Sequence, residues 1–273
     1  MKKYLAVFLL LFFFGGFLSA QSGKILPLSI GEIHTIYSSS LNEERTLNIY
    51  LPPDYDSSLA YPVIYLLDGS MNEDFIHISG LAQFFQLMYD MPETIIVGIA
   101  NVDRKRDFTF PTDLEELKKS TPTSGYSGRF ISFMKNELQP YIQSGFKTNG
   151  TSFLIGQSLG GLLASEILLH NADLFTHYFI ISPSLWWDNE SMLKKATELY
   201  KEQPDSNRFV YISAGKNEPK IMRMVAKKLY GILSKSGKVN TVTKFRLMKD
   251  EDHATILHNS IYQGFKLIFK PLY

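Results

Sequence analysis

The 273-residue chain has no cysteine, only two tryptophans and almost no excess charge, with 28 Lys and Arg against 27 Asp and Glu. Without cysteine there is no disulfide, no thiolate nucleophile and no thiolate metal site. A lipid anchor on a cleavage-site cysteine is excluded too. The balanced charge removes the basic footprint that nucleic-acid binding requires. No internal repeat, low-complexity tract or linker interrupts the chain. What is present is a globular composition, 45% hydrophobic and 14% aromatic. That is enough for one core and points to one large domain.

The N-terminus reads as a secretory signal. Lys2 and Lys3 precede an apolar run from Leu5 to Phe14 that continues to Leu18, and Ser19-Ala20 offers a cleavage site. Leu18 is bulkier than usual at its position. The alternative, an uncleaved anchor, suffers from a run slightly short for a membrane span. The expected organisation is a signal peptide over 1–20 and one domain over 21–273, periplasmic or secreted, with no stable membrane insertion after cleavage. Loss of the two lysines moves the formal charge to the acidic side of neutral.

Downstream, strands alternate with helices. Residues 33–37 and 46–51 alternate apolar and polar side chains across a polar turn, as an antiparallel hairpin does. Residues 63–67, 94–99, 152–155, 178–182 and 209–213 are continuous or nearly continuous apolar runs, the mark of parallel strands buried on both faces. Residues 241–248 form the last strand. Helices are expected over 79–88, 127–143, 159–170, 192–200, 220–234 and 254–269. Residues 101–124 read as a long polar loop, of a length more often functional than idle. The fold class is therefore α/β: a mostly parallel central sheet with an antiparallel N-terminal edge hairpin, helices on both faces and no large cap domain.

Gly156-Gln157-Ser158-Leu159-Gly160 reads G-x-S-x-G between a strand and a helix. That context makes it a nucleophile elbow rather than an ordinary turn with a capping serine. The turn lifts the serine oxygen above the sheet, and the flanking glycines are expected to avoid collisions in the strained turn. Gly161 adds a third small residue. The N–H of Leu159 is the expected first oxyanion donor. The second is Ser70, in the Asp68-Gly69-Ser70 turn after the first parallel strand, where Asp68 is expected to tie the loop down.

A serine needs a base, and the base needs an orienting acid. Of six histidines, His253 follows the last strand and precedes the last helix, as the order serine, acid, histidine requires. Glu218 lies in the loop after 209–213, where the acid belongs. Asp188, the acidic run 250–252, or a dyad without a strong acid are the alternatives. Trp186 and Trp187 follow the 178–182 strand and form either an aromatic wall for substrate or packing beneath the histidine loop. Arg104, Lys105 and Arg106 either contact an anionic substrate or are simply solvated.

Longer stretches carry a resemblance. Glu44 to Tyr55, Tyr61 to Gly69, Val97 to Asn101, Arg106 to Thr109, Gly156 to Gly161, Ser182-Pro183-Ser184-Leu185-Trp186-Trp187 and Glu251-Asp252-His253 together resemble the esterase D family of the α/β-hydrolase superfamily. The Ser-Pro-Ser-Leu-Trp-Trp element is most similar to the branch of bacterial siderophore esterases. The resemblance spans nearly the whole chain after residue 20. It implies a serine esterase without metal or cofactor, acting on a small-molecule ester, with Ser158 as nucleophile and His253 as base. It leaves Glu218 open, since the branch includes members with a weak or absent acid. Ala254-Thr255 stands where Gly-Ser is expected after the histidine. A carbohydrate esterase or acyltransferase on the same residues, and a non-catalytic binding protein, are the competing readings.

Overall fold

The computed structural model describes residues 24–273, so the expected signal peptide lies outside the described residues. Eight strands form one sheet: β1 (Gly31–Ser38), β2 (Glu43–Tyr50), β3 (Tyr61–Leu66), β4 (Ile95–Ile99), β5 (Thr148–Gln157), β6 (His177–Ile181), β7 (Arg208–Gly215) and β8 (Thr241–Met248). Their spatial order is β1-β2-β4-β3-β5-β6-β7-β8. The β1–β2 hairpin is antiparallel and β2 meets β4 antiparallel. Every other pair is parallel, so the ends of β3 to β8 point to one edge.

Alternation along the strands divides the core in two. Val63, Tyr65, Leu154, Tyr178, Ile180, Val210 and Ile212 face one side. It is covered by α4 (Ser127–Phe133), a π-helical turn and α5 (Gln139–Gly145), α6 (Leu159–His170), α7 (Trp187–Glu202) and α8 (Lys220–Ser234). Ile64, Leu66, Phe153, Ile155, Phe179 and Tyr211 face the other, covered by α1 (Phe75–Met88) and α9 (Ile256–Phe265).

Four expectations shift. The first helix begins at Phe75, and the last is confined to Ile256–Phe265. The 101–124 stretch contains two short helices, α2 (Arg104–Phe108) and α3 (Glu115–Ser120). Asp103 caps α2, accepting a hydrogen bond from the Arg106 N–H. Helix α7 starts at Trp187, through three residues with φ of 50° to 59° at Asp188, Asn189 and Glu190.

Candidate active site

The site forms where β3, β5, β7 and β8 end. Ser158 follows β5 with φ 60° and ψ −116°, a conformation that L residues rarely adopt and that marks a built turn. The fit of its glycines is uneven. A methyl on Gly156 would lie 2.4 Å from the Gly160 carbonyl oxygen, and one on Gly161 would lie 2.9 Å from the Ile181 oxygen and 3.0 Å from Pro183 Cα. A methyl on Gly160 would meet nothing closer than 3.4 Å. The expected crowding therefore holds at Gly156 but not at Gly160, which has ordinary van der Waals room, and Gly161 is crowded as well.

Ser158 Oγ lies 2.9 Å from His253 Nε2, and His253 Nδ1 lies 2.8 Å from Glu218 Oε1. A carboxylate only accepts, so Nδ1 carries the proton and Nε2 turns a lone pair toward the serine. Glu218 is fully buried in its side chain and His253 is 42% exposed. The second Glu218 oxygen accepts from the Gly215 N–H at 2.9 Å. Of the alternative acids, Asp188 instead accepts from the Thr112 hydroxyl.

Main chain joins the loops holding Glu218 and His253. The Asn217 N–H donates to the Glu251 carbonyl at 3.1 Å, and the Lys216 N–H to that of Met248 at 2.8 Å. Asp252 Oδ1 accepts from the N–H groups of Ala254 and Thr255, which hold its carboxyl below the usual range. The Asp252 N–H in turn donates to the Thr255 hydroxyl oxygen at 3.2 Å. The Ala-Thr departure thus keeps a closed turn around His253.

On the opposite side, Asp68, with φ 55°, lies in the turn after β3. Arg104 Nε and Nη2 donate to its two carboxylate oxygens at 2.6 and 2.8 Å, and Asn101 Nδ2 donates to Oδ1 at 2.7 Å. Arg104 Nη2 also donates to the Gln157 carbonyl at 3.1 Å, linking this loop to the serine turn. Gly69 packs against the main chain of Gly98, where a methyl would lie 2.3 Å from Cα. Among the described residues, neither the Ser70 N–H nor the Leu159 N–H meets a main-chain acceptor.

Of the expected substrate contacts, Arg106 and Trp187 are engaged elsewhere. Arg106 does not reach toward the serine: it donates to Asp107 at 2.7 Å and to both oxygens of Glu43 at 2.9 and 2.5 Å. The same carboxylates hold the fully buried Arg45. Trp187 is a core residue, 1% exposed, with its indole N–H donated to the Phe110 carbonyl. Trp186 packs beside it, partly buried, ring centroids 6.3 Å apart. Arg104 is spent on Asp68, and Lys105 is exposed.

Two neighbours were not anticipated. Gln157 Nε2 donates to the His253 carbonyl at 2.5 Å, tying the histidine loop to the serine turn. Ser184 Oγ lies 3.3 Å from Ser158 Oγ. The signal for Ser184 is topological: β6 pairs with β5, so the loop after one strand lies beside the turn after the other.

A strand–serine–helix turn, a histidine and a carboxylate in one hydrogen-bonded line on a parallel sheet define the α/β-hydrolase class of architecture. Residues 38–262 match the family described as "Putative esterase". The chain belongs to this family and is a carboxylic ester hydrolase. A Bacillus subtilis (strain 168) protein named ferri-bacillibactin esterase BesA is 29% identical over 258 residues, 85% of this chain and 88% of its own. An IroE-like serine hydrolase from Shewanella oneidensis matches in structure with a TM-score of 0.79 at 30% identity, covering 88% of this chain and 80% of that one. The BES protein from Bacillus cereus matches at 0.77 and 28% identity, covering 90% and 97%.

Proposed function

We propose that the chain is an exported serine esterase that cleaves a bulky siderophore-type ester, such as a trilactone, through an acyl-enzyme on Ser158. The continuous line Ser158–His253–Glu218 is the observation that carries this reading. His253 Nε2 takes the Ser158 proton as Oγ attacks the ester carbonyl. The carbonyl oxygen gains the negative charge, and the N–H groups of Leu159 and Ser70 receive it. Collapse expels the alcohol, which takes the proton from Nε2. Water then attacks with the same base, and the acid product leaves. Glu218 holds the imidazole in the productive tautomer and stabilises it when charged.

The substrate class rests on the relatives and on access. BesA bears the name of a ferri-bacillibactin esterase, and an Aspergillus fumigatus relative, 32% identical over 119 residues, that of a siderophore triacetylfusarinine C esterase. The base is 42% exposed, so it lies at a mouth open to a large ester. Export rests on Lys2-Lys3, the apolar run and Ser19-Ala20. No helix among the described residues is long and apolar enough to cross a membrane.

The test is hydrolysis of p-nitrophenyl acetate and of a catecholate trilactone by the purified protein and by Ser158→Ala. Loss of both activities in Ser158→Ala, with kcat/KM higher for the trilactone, supports the reading. Turnover that survives Ser158→Ala sinks the mechanism. A preference for acylated sugars over the trilactone sinks the substrate.

A further inference from the structure

We propose that Ser184 is a positioning residue that locks the Ser158 hydroxyl onto its base before acylation and becomes dispensable afterwards. The proposal rests on the reading of Ser158 as nucleophile.

Ser184 is 2% exposed and lies in the turn after β6. It touches Ser158 twice. Its N–H donates to the Ser158 carbonyl at 3.0 Å, and its Oγ lies 3.3 Å from Ser158 Oγ. The proton count sets the direction of the second contact. Ser158 has one hydroxyl proton, and His253 Nε2 faces it with a lone pair at 2.9 Å. That proton goes to the base. Ser184 must therefore be the donor, and its hydroxyl has no other hydrogen-bond partner among the described residues.

The Ser184 turn is held independently of that contact. The Leu185 N–H donates to Pro183 and the Trp187 N–H to Ser184, at 2.8 and 3.0 Å. Beneath it, Gly161 leaves only enough room for Pro183 to pass. Trp187 anchors the far end in the core through Phe110. The donor is thus carried by a fixed element, while Ser158 Oγ has three staggered positions of its own. Ser184 favours the one that points at Nε2.

The contact acts at one stage only. Before acylation, Ser158 Oγ is held by hydrogen bonds alone. After acylation, the Oγ–carbonyl bond and the oxyanion donors fix it. The water attack that follows needs His253 and the oxyanion donors but no longer needs the serine rotamer. Loss of the lock therefore slows bond formation at Oγ by about 3- to 10-fold, the cost of sharing three rotamers and losing a near-attack pose.

Two rates separate this role from general damage. Single-turnover release of p-nitrophenol from p-nitrophenyl acetate gives acylation. Decay of the isolated acetyl-enzyme, followed by intact mass, gives deacylation. For Ser184→Ala we expect acylation lowered about 3- to 10-fold and deacylation within twofold of the parent. Ser184→Thr, which keeps the hydroxyl, should restore much of the acylation rate. If the added methyl disturbs its folding, Ser184→Cys, a weak donor of similar size, should fall between parent and Ala. Equal losses in both steps, or no loss in either, overturn the proposal. If the parent itself forms no acetyl-enzyme at Ser158, the nucleophile assignment fails first, and the parent arm alone reveals it.

Discussion

Around Ser158, the loops after β3 and β4 are tied by charged side chains, and the loops after β7 and β8 are tied mainly by main chain. On the first side, Asp68, Asn101 and Arg104 form a cluster that also reaches the serine turn at Gln157. On the second, Lys216 and Asn217 hydrogen-bond to Met248 and Glu251 through backbone alone, and Glu218 folds back on the Gly215 N–H. The difference is physical. A charged tie weakens when one side chain is truncated, because the partner is left buried and unpaired. A main-chain tie ignores most side-chain changes but tolerates no added atom at its close approaches.

The largest effect is expected at the acid itself. Glu218→Gln keeps the volume but presents a group that can settle the wrong imidazole tautomer. We expect kcat to fall by about 10²- to 10⁴-fold with little change in melting temperature. A rate within threefold of the parent would make the site a dyad. Next is Gly215→Ala, since a methyl there would lie 2.5 Å from the Glu251 carbonyl oxygen. It should destabilise by about 1–3 kcal/mol in urea unfolding and lower activity together with stability. An unchanged midpoint would show that the main-chain tie yields easily.

Arg104→Ala should lower kcat by roughly 10- to 100-fold, because the loop carrying Ser70, the proposed second oxyanion donor, loses its link to the serine turn. Arg104→Lys should recover only part, since one ammonium cannot replace two parallel bonds. Unaltered kcat in Arg104→Ala would show that the Ser70 loop stands without the clamp. The charged side should also be the pH-sensitive one. Burial, reinforced by the charges of Asp68 and Glu73, pushes the Asp74 carboxyl up to about 7. Its folded pKa lies above the unfolded one, so the native state holds a proton that the unfolded chain has already lost between about pH 4 and 7. Stability from this group falls as pH rises through that window. Asp74→Asn should therefore raise the melting temperature by a few degrees at pH 8 and leave it unchanged near pH 4. An equal gain at both values would break the link to titration. The smallest effect is expected at Gly160→Ala, within about twofold of parent activity, because a methyl there finds room. Gly156→Ala, measured beside it, should lose most activity.

Much of this architecture is readable from residue patterns, for a definite reason. Strands buried on both faces must be mostly apolar, so the runs 63–67 and 94–99 stand out and become β3 and β4. The polar start of β5, Thr148–Thr151, carries no such signal. Ser158, Glu218 and His253 each follow a strand end, and parallel pairing brings strand ends to one edge. The meeting of Ser158 and His253 therefore follows from order, whereas order alone does not choose Glu218 over Asp188 or the 250–252 run, which also follow strand ends. Arg106 and Trp187 are different. Glu43, the partner of Arg106, lies 63 residues earlier in the chain, and Phe110, the acceptor for Trp187, lies 77 residues earlier. A charged or aromatic residue near a site looks the same whether it faces substrate or core until that partner is known. Gln157 and Ser184 went unseen because their work depends on which loops lie side by side.

The thinner cover of the sheet has one more consequence. Helix α1 begins where the Asp68–Asp74 turn ends, and α9 begins three residues after His253. The C-terminal tail fastens them as a pair: the Leu272 N–H donates to the Met88 carbonyl, the Asp90 N–H to Lys270, and the Lys270 N–H to the Asp90 carboxylate. Detachment of that two-helix layer would free the Ser70 loop and His253 in one event, with Ser158 still seated at the start of α6. Heat should therefore switch the enzyme off before it melts the sheet, and amide exchange in α1 and α9 should rise together at the temperature where activity disappears.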